Sequence, residues 1–185
     1  AFYTNFAAAM SNWVPGLAFS AAKADDILGA DLYGDAAEQQ VACKMMSGLA
    51  RNRPIEFMTS RCTNLIEHEH NKSAEAVRLQ TLAATLFSSA TFFIDAIDPD
   101  GAIHTGTYKL LKRAYDEAAP FEPFLGGEPV EDVAIYFSSE SKMDFAENGR
   151  PLVEGAWQRE YPHLTAIRGV ARVLQAAHVP FGVIT

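Results

Sequence analysis

The chain has 185 residues, enough for one good core or for one domain and part of another. At 49% hydrophobic and 21% charged it has an ordinary globular composition, and no apolar run reaches the ~18 residues that mark a membrane-spanning helix. The net charge of −8, with basic residues scattered singly, argues against a nucleic-acid partner.

The chain opens on Ala1-Phe2-Tyr3-Thr4-Asn5-Phe6, without Met or a basic leader. It closes on the apolar strand Phe181–Thr185 with no following element. A buried parallel strand needs cover on both faces, so the expectation is a piece of a longer protein. Ala1–Phe6 reads as the tail of a strand ending at Thr4 and Asn5. Residues Ala7–Ala24 are Ala-rich with a Trp13-Val14-Pro15-Gly16 turn, which predicts a short helix and a loop. Asp26–Tyr33 reads as a second strand with the polar end Asp31 and Tyr33, followed by a turn at Gly34-Asp35. Helix Ala36–Ala50 places Val41, Met45, Met46 and Leu49 on one apolar face.

Arg51-Asn52-Arg53-Pro54 connects to a third strand, Ile55–Thr59. The loop Thr63–Lys72 carries Glu67-His68-Glu69-His70, which is not a His-Glu-x-x-His helix and reads as solvated, with no metal site. Helix Ser73–Ser89, capped by Ser73, turns Val77, Leu82, Leu86 and Phe87 inward. The fourth strand, Thr91–Ile97, is almost continuously apolar, the pattern of a parallel strand covered on both faces. Asp98-Pro99-Asp100-Gly101 is a turn, because Pro presets φ and Gly accepts positive φ. Helix Thr107–Ala119 sets Tyr108, Leu111 and Tyr115 on one side.

Pro120, Pro123, Gly126, Gly127 and Pro129 then mark a boundary. Beyond it come strand Asp132–Phe137, a polar loop from Ser138 to about Pro162, helix Leu164–Ala177 and the last strand. That helix carries Ile167, Val170, Ala171 and Leu174 on one face. The two cysteines, Cys43 and Cys62, lack metal-ligand spacing and read as small buried hydrophobes, with a disulfide left open. Four βα units, a boundary and one βαβ unit make an α/β fold with parallel strands. The pattern alone leaves half of an eight-fold barrel and most of a doubly wound sheet both open.

Thr4-Asn5-Phe6, Ala30-Asp31-Leu32-Tyr33, Pro54 to Arg61 and Phe92 to Gly101, in this order, resemble the second half of a glycoside hydrolase barrel. The spacing is similar to β-galactosidases that carry a trimerisation domain, and more closely to the hypothetical α-fucosidase-like glycoside hydrolases related to them. The resemblance implies the C-terminal half of a (β/α)8 barrel over residues 1–125, its strands standing as five to eight. It further implies the start of a flavodoxin-like parallel-sheet domain over residues 130–185, opening with Val133-Ala-Ile-Tyr-Phe-Ser138. That domain serves subunit packing in the relatives, which implies a homo-oligomer. The relatives' nucleophile is a Glu closing strand seven, where this chain has Thr59 after Phe57-Met58. Their acid/base Glu belongs to strand four, outside this chain.

Glycoside hydrolysis needs two carboxylates flanking the scissile bond. Glu56, set between Ile55 and Phe57 in an apolar surrounding suited to a general acid, and Asp98 are the catalytic candidates. Each also has a structural reading, Glu56 as an interior carboxylate held by an Arg and Asp98 as a turn cap. Asp31 with Tyr33, as a hydroxyl acceptor and a stacking ring, Thr59 and Asp95 at their strand ends, and Arg61, for a substrate carboxylate or to orient an acid, are the candidates for binding a carbohydrate substrate; the resemblance alone adds Asn5, as a hydrogen-bond partner of a sugar hydroxyl. Ser138-Ser139 lacks the glycines of a phosphate loop, so no cofactor is expected. The expected activity belongs to the complete protein, with the piece inactive alone. Two other readings stand beside it: a non-catalytic oligomerisation or carbohydrate-binding module, and a barrel that has lost catalysis.

Overall fold

A computed structural model describes residues 1–5, 19–50, 53–63, 69–96, 99–138 and 162–185. Most of the predicted Ala7–Ala24 segment, Glu67 and His68, Asp98, and nearly all of the loop before Pro162 lie outside the described residues. The elements run β1 (Tyr3–Asn5), β2 (Ile27–Asp31), α1 (Ala36–Ala50), β3 (Ile55–Ser60), α2 (Ala74–Leu86), β4 (Ser89–Ile94) and α3 (Thr105–Ala118). They continue with β5 (Val133–Tyr136), α4 (Pro162–Ala176) and β6 (Phe181–Ile184). Short 3-10 helices span Phe19–Ala24 and Ala119–Phe124.

The four strands β1 to β4 form one sheet in sequence order, every pair parallel. Crossovers of one hand between sequential neighbours put all connecting helices on the same side. A doubly wound sheet instead reverses its strand order at a switch point and covers both faces. Sequential order leaves one face bare, and a barrel buries that face by curling around it. The fold is therefore a mixed α/β, partial barrel-like arrangement. The register assigns the faces. Leu28 is level with Ile55 and Ala30 with Phe57, and all four lie in the core against the helices. Tyr3, Gly29, Asp31, Glu56, Met58 and Phe92 take the alternate positions and face the interior of the curl.

The first three helices have visible starts. Asp35 Oδ1 accepts the Glu38 N–H at 2.9 Å, and this bond, with Arg172 close by, holds its carboxyl below the usual range. Ser73 caps α2 by accepting the Ala76 N–H at 3.1 Å. His104 caps α3, its Nδ1 accepting the Thr107 N–H at 3.2 Å. Helix α1 is buried on more than the one expected stripe, because it lies between two sheets. Val41, Met45 and Met46 share a core with Leu28 and Phe57 on one side and with Ile135, Phe181 and Val183 on the other. Strands β5 and β6 pair in parallel, and Gly48 of α1 comes so close to β6 that a Cβ there would stand 2.9 Å from the Val183 carbonyl. Arg168 of α4 bonds buried Glu38 at 2.9 Å, and Arg172 bonds Asp35 at 2.8 Å. The C-terminal βαβ unit is thus seated on α1.

Several expectations change in detail. Strand β4 starts at Ser89 and ends at Ile94, and Phe92 is 50% exposed, so it is covered on the helix side only. Leu86 is 78% exposed, while Gln80, Thr81 and Thr85 are buried with Val77. The inward face of α2 is polar because it meets a buried hydrogen-bond network. Val170 is also exposed, with Leu164, Ile167 and Ala171 forming the buried stripe of α4. Cys43 and Cys62 are both buried and free.

Candidate functional site

The polar residues on and just beyond the strands divide into two sets, one on each face of the sheet. The interior face carries the first. Glu56 is level with Gly29, and Gly29 is level with Asn5. The Tyr3 phenol bonds Glu56, and burial first, then this bond and the charge of Glu56, raise its pKa. Gly29 makes the contact possible, since a Cβ there would stand 2.8 Å from Glu56 Cβ, Glu56 Oε2 and Tyr3 Cε2 alike. Asp31 lies two residues beyond Gly29 on the same face, paired with Met58. Strand geometry puts its Cα roughly 8 Å from that of Glu56, close enough for one sugar ring to touch both side chains. Tyr33 follows at the strand end. Burial, then the charge of Asp31, push its phenol up to about 12, and its hydroxyl is buried with no hydrogen-bond partner among the described residues.

The second set faces the helices. Arg61 Nε donates to Asp95, and both side chains are only 10% exposed. Arg61 Nη1 donates to Asn71 Oδ1 at 2.9 Å, and Asn71 Nδ2 to Thr107 Oγ1 at 3.1 Å, which joins the strand ends to the start of α3. Thr59 is fully buried and accepts from Lys72 Nζ at 3.0 Å. Lys72 also donates to Gln80 Oε1 at 3.2 Å. Gln80 donates to Gln39 at 3.2 Å, and Gln39 to the Leu32 carbonyl at 3.2 Å. Burial is the main reason the Lys72 ammonium titrates near 8 instead of 10.5, the neighbouring Cys62 thiol opposing it.

Of the residues singled out in the sequence, then, Asp31, Tyr33 and Glu56 gather on the interior side, with Asn5 level by backbone register. Thr59, Arg61 and Asp95 lie behind the sheet in bonded networks. Asp98 lies outside the described residues. Glu56 is the second residue of β3, one inward position deeper than the level of Asp31. Sequence reasoning missed Tyr3, although it stands two residues before the candidate Asn5, the interval at which a strand returns to the same face. Parity also carried a signal about Thr59 and Asp95, which alternate in step with the apolar Phe57 and Phe93. Among the described residues no group of His, Cys, Asp and Glu is arranged to hold a metal ion, and no helix is long and apolar enough to cross a membrane.

A sequential parallel sheet with helices on one side and polar residues at its strand ends defines a chain of the barrel-like α/β class. Among solved structures it is similar to the alpha-L-fucosidase isoenzyme 2 from Paenibacillus thiaminolyticus, with 19% identity and a TM-score of 0.61 over 80% of this chain and 21% of that one. The chain spans about a fifth of that protein's length. The likeness is one of fold. No protein-family model matches the chain, and no curated protein does.

Proposed function

We propose that the chain is part of a carbohydrate-active enzyme, a glycoside hydrolase in its complete form, and forms one wall of its sugar pocket. The observation that carries this reading is the interior cluster of Tyr3, Asp31, Tyr33 and Glu56, set on parallel strands of a barrel-like sheet. Ligands of such sheets bind at the carboxyl ends of the strands, where Asp31 and Tyr33 stand, with Glu56 and Tyr3 deeper on the same face. A carboxylate beside an orphan phenol offers the hydrogen bonds and the aromatic wall that a sugar ring requires. In this reading Asp31, Tyr33 and Asn5 hold sugar hydroxyls. Glu56, held by Tyr3, works as acid or electrostatic partner, with the second carboxylate supplied by Asp98 or by the rest of the protein. Residues 1–125 belong to the barrel and residues 130–185 to a flavodoxin-like domain that packs subunits. The fucosidase likeness in fold makes an α-L-fucoside the first substrate to try.

The test uses the full-length protein and a panel of aryl glycosides that includes α-L-fucoside and β-D-galactoside. Turnover of one member, lost by ~10²-fold or more in Asp31→Asn or Glu56→Gln at unchanged thermal stability, is the expected result. Variants that keep full kcat/KM, or a protein that turns over no glycoside, would remove the reading. The latter result would favour the non-catalytic module.

A further inference from the structure

A cleft of about 520 Å³ opens on the helix side of the sheet, away from the interior cluster, between the end of α2, the start of β4 and the end of α3. Its size falls in the range of small-molecule sites. Its floor carries hydroxyls from Thr81, Thr85 and Ser89, and its wall is Tyr115. Ser89 is more than nine-tenths buried, and its hydroxyl has no hydrogen-bond partner among the described residues. By register Ser89 is level with Ile55, so it shares the helix-facing side on which the cleft lies.

Two features show that the cleft is held open rather than left over. The Tyr115 hydroxyl donates to the Thr91 carbonyl at 3.0 Å, and its ring packs edge-on to Phe93 with centroids 6.2 Å apart, which fixes the aromatic wall. Ser88 ends α2 in the left-handed region, φ 54°, and its Oγ accepts the Gly126 N–H at 3.1 Å. That tether ties the segment after the Ala119–Phe124 helix to the end of α2. Asp116 and Glu122 contribute the charges of the lining, and its described residues include no Lys, Arg or His. Asp116 already accepts Lys112 at 2.6 Å.

We infer that this cleft is a second ligand site, distinct from the interior cluster, that takes a neutral monosaccharide. The chemistry selects the class. Hydroxyl acceptors and a carboxylate suit the O–H donors of a polyol, and a rigid aromatic wall suits the apolar face of a sugar ring. An anionic sugar meets Glu122 in a lining that holds no Lys, Arg or His, the charge of Lys112 being already engaged by Asp116. The inference does not depend on the catalytic reading.

The experiment is an amide-resolved NMR titration of the chain with galactose, fucose, glucuronate and glycerol in turn. The neutral sugars are expected to bind with Kd on the order of 1–10 mM and to shift the amides of Thr85, Ser88, Ser89 and Glu122. Glu122→Gln, an exposed change that trades a charged acceptor for a weaker neutral one, and Ser89→Ala, which removes one hydroxyl, are each expected to weaken binding about fivefold. Glucuronate is expected to bind more weakly than galactose. Shifts that do not saturate, that are matched by glycerol or glucuronate, or that are confined to Gly29, Ala30 and Asp31 would overturn the inference. So would full affinity in Glu122→Gln. Shifts at the interior strand alone would leave the proposed sugar pocket standing without the second site.

Discussion

Arg61 and Asp95 distinguish a structural strut from a ligand-binding arm, and a double-mutant cycle reads the difference. Both side chains are 10% exposed and bonded to each other. Removing one partner from a buried ion pair costs about 3–5 kcal/mol, because the other charge is left without compensation. Arg61→Met leaves Asp95 with the Ala96 N–H, at 2.8 Å, as a remaining donor, which favours the lower end of that range, about 3 kcal/mol. It also breaks the 2.9 Å bond to Asn71, adding about 1 kcal/mol. Asp95→Asn takes away the carboxylate charge that answers the buried guanidinium and should cost about 3 kcal/mol. The double variant holds neither charge, so it should cost about 3 to 4 kcal/mol, far below the sum of the singles. The expected coupling is therefore about 3 kcal/mol, a large share of the roughly 5–15 kcal/mol that holds a domain together. Urea denaturation at pH 7, extrapolated linearly, measures all four corners. Single costs under about 1 kcal/mol with additive behaviour would refute the reasoning, since that is how an exposed pair behaves. Arg61 would then be available to a substrate, as its place at the end of β3 first indicated.

Burial pushes the Cys43 thiol from its ordinary 9.0 up to about 12. The raised folded value means its stabilising contribution is complete below pH 9 and is lost as pH rises from there toward 12; relative to Cys43→Ala, the chain should lose about 1.4 kcal/mol between pH 8 and pH 10 in denaturant melts. Parallel pH profiles would contradict it. Lys72 works with the opposite sign, because burial lowers it to about 8. The unfolded lysine binds more protons between 8 and 10.5, so stability relative to Lys72→Met should grow with pH across that window, and a flat difference would show Nζ to be solvated. Gly48→Ala in a helix interior normally gains about 0.5–1 kcal/mol, but the 2.9 Å approach to the Val183 carbonyl should turn it into a loss of about 1–3 kcal/mol. A gain in melting temperature would mean that β6 does not rest on α1. Gly29→Ala should likewise cost about 1–3 kcal/mol by crowding Tyr3 and Glu56, and a neutral result would remove the close contact on which the interior cluster depends.

Much of the architecture was legible because local signals agreed. Helix α1 runs from Ala36 to Ala50 as read, since Asp35 caps one end and the Arg-Asn-Arg-Pro connector stops the other. Strand β3 was legible to within one residue from its apolar alternation. Other elements were set by partners distant in sequence. The first residues of β4, Ser89 and Ala90, have little strand propensity and extend because Ile55 and Glu56 pair with them. Leu86 looked like core by spacing, but the space inside α2 is filled by Gln80 and Lys72, a polar requirement that helix periodicity does not encode. The double burial of α1 depends on a βαβ unit more than 80 residues further along the chain, a docking that no local pattern carries.

The candidate site divides along the same line. Strand-end position identified Asp31, Tyr33, Thr59, Arg61 and Asp95 together, because all lie near carboxyl ends. Position cannot tell which of them are already committed to holding the fold. Thr59, Arg61 and Asp95 are: each belongs to a bonded network that reaches Gln80 of α2 through Lys72 or Thr107 of α3 through Asn71. Tyr33 is not, since its hydroxyl is buried with no partner among the described residues. A buried hydroxyl left unpaired costs about 1–3 kcal/mol, and a ligand that supplies the missing bond recovers part of that cost on binding. Ser89 is in the same position behind the sheet. The two places argued to bind sugars are therefore those where the fold leaves a buried hydroxyl unanswered, and the networks around Arg61 and Lys72 hold the sheet that presents them.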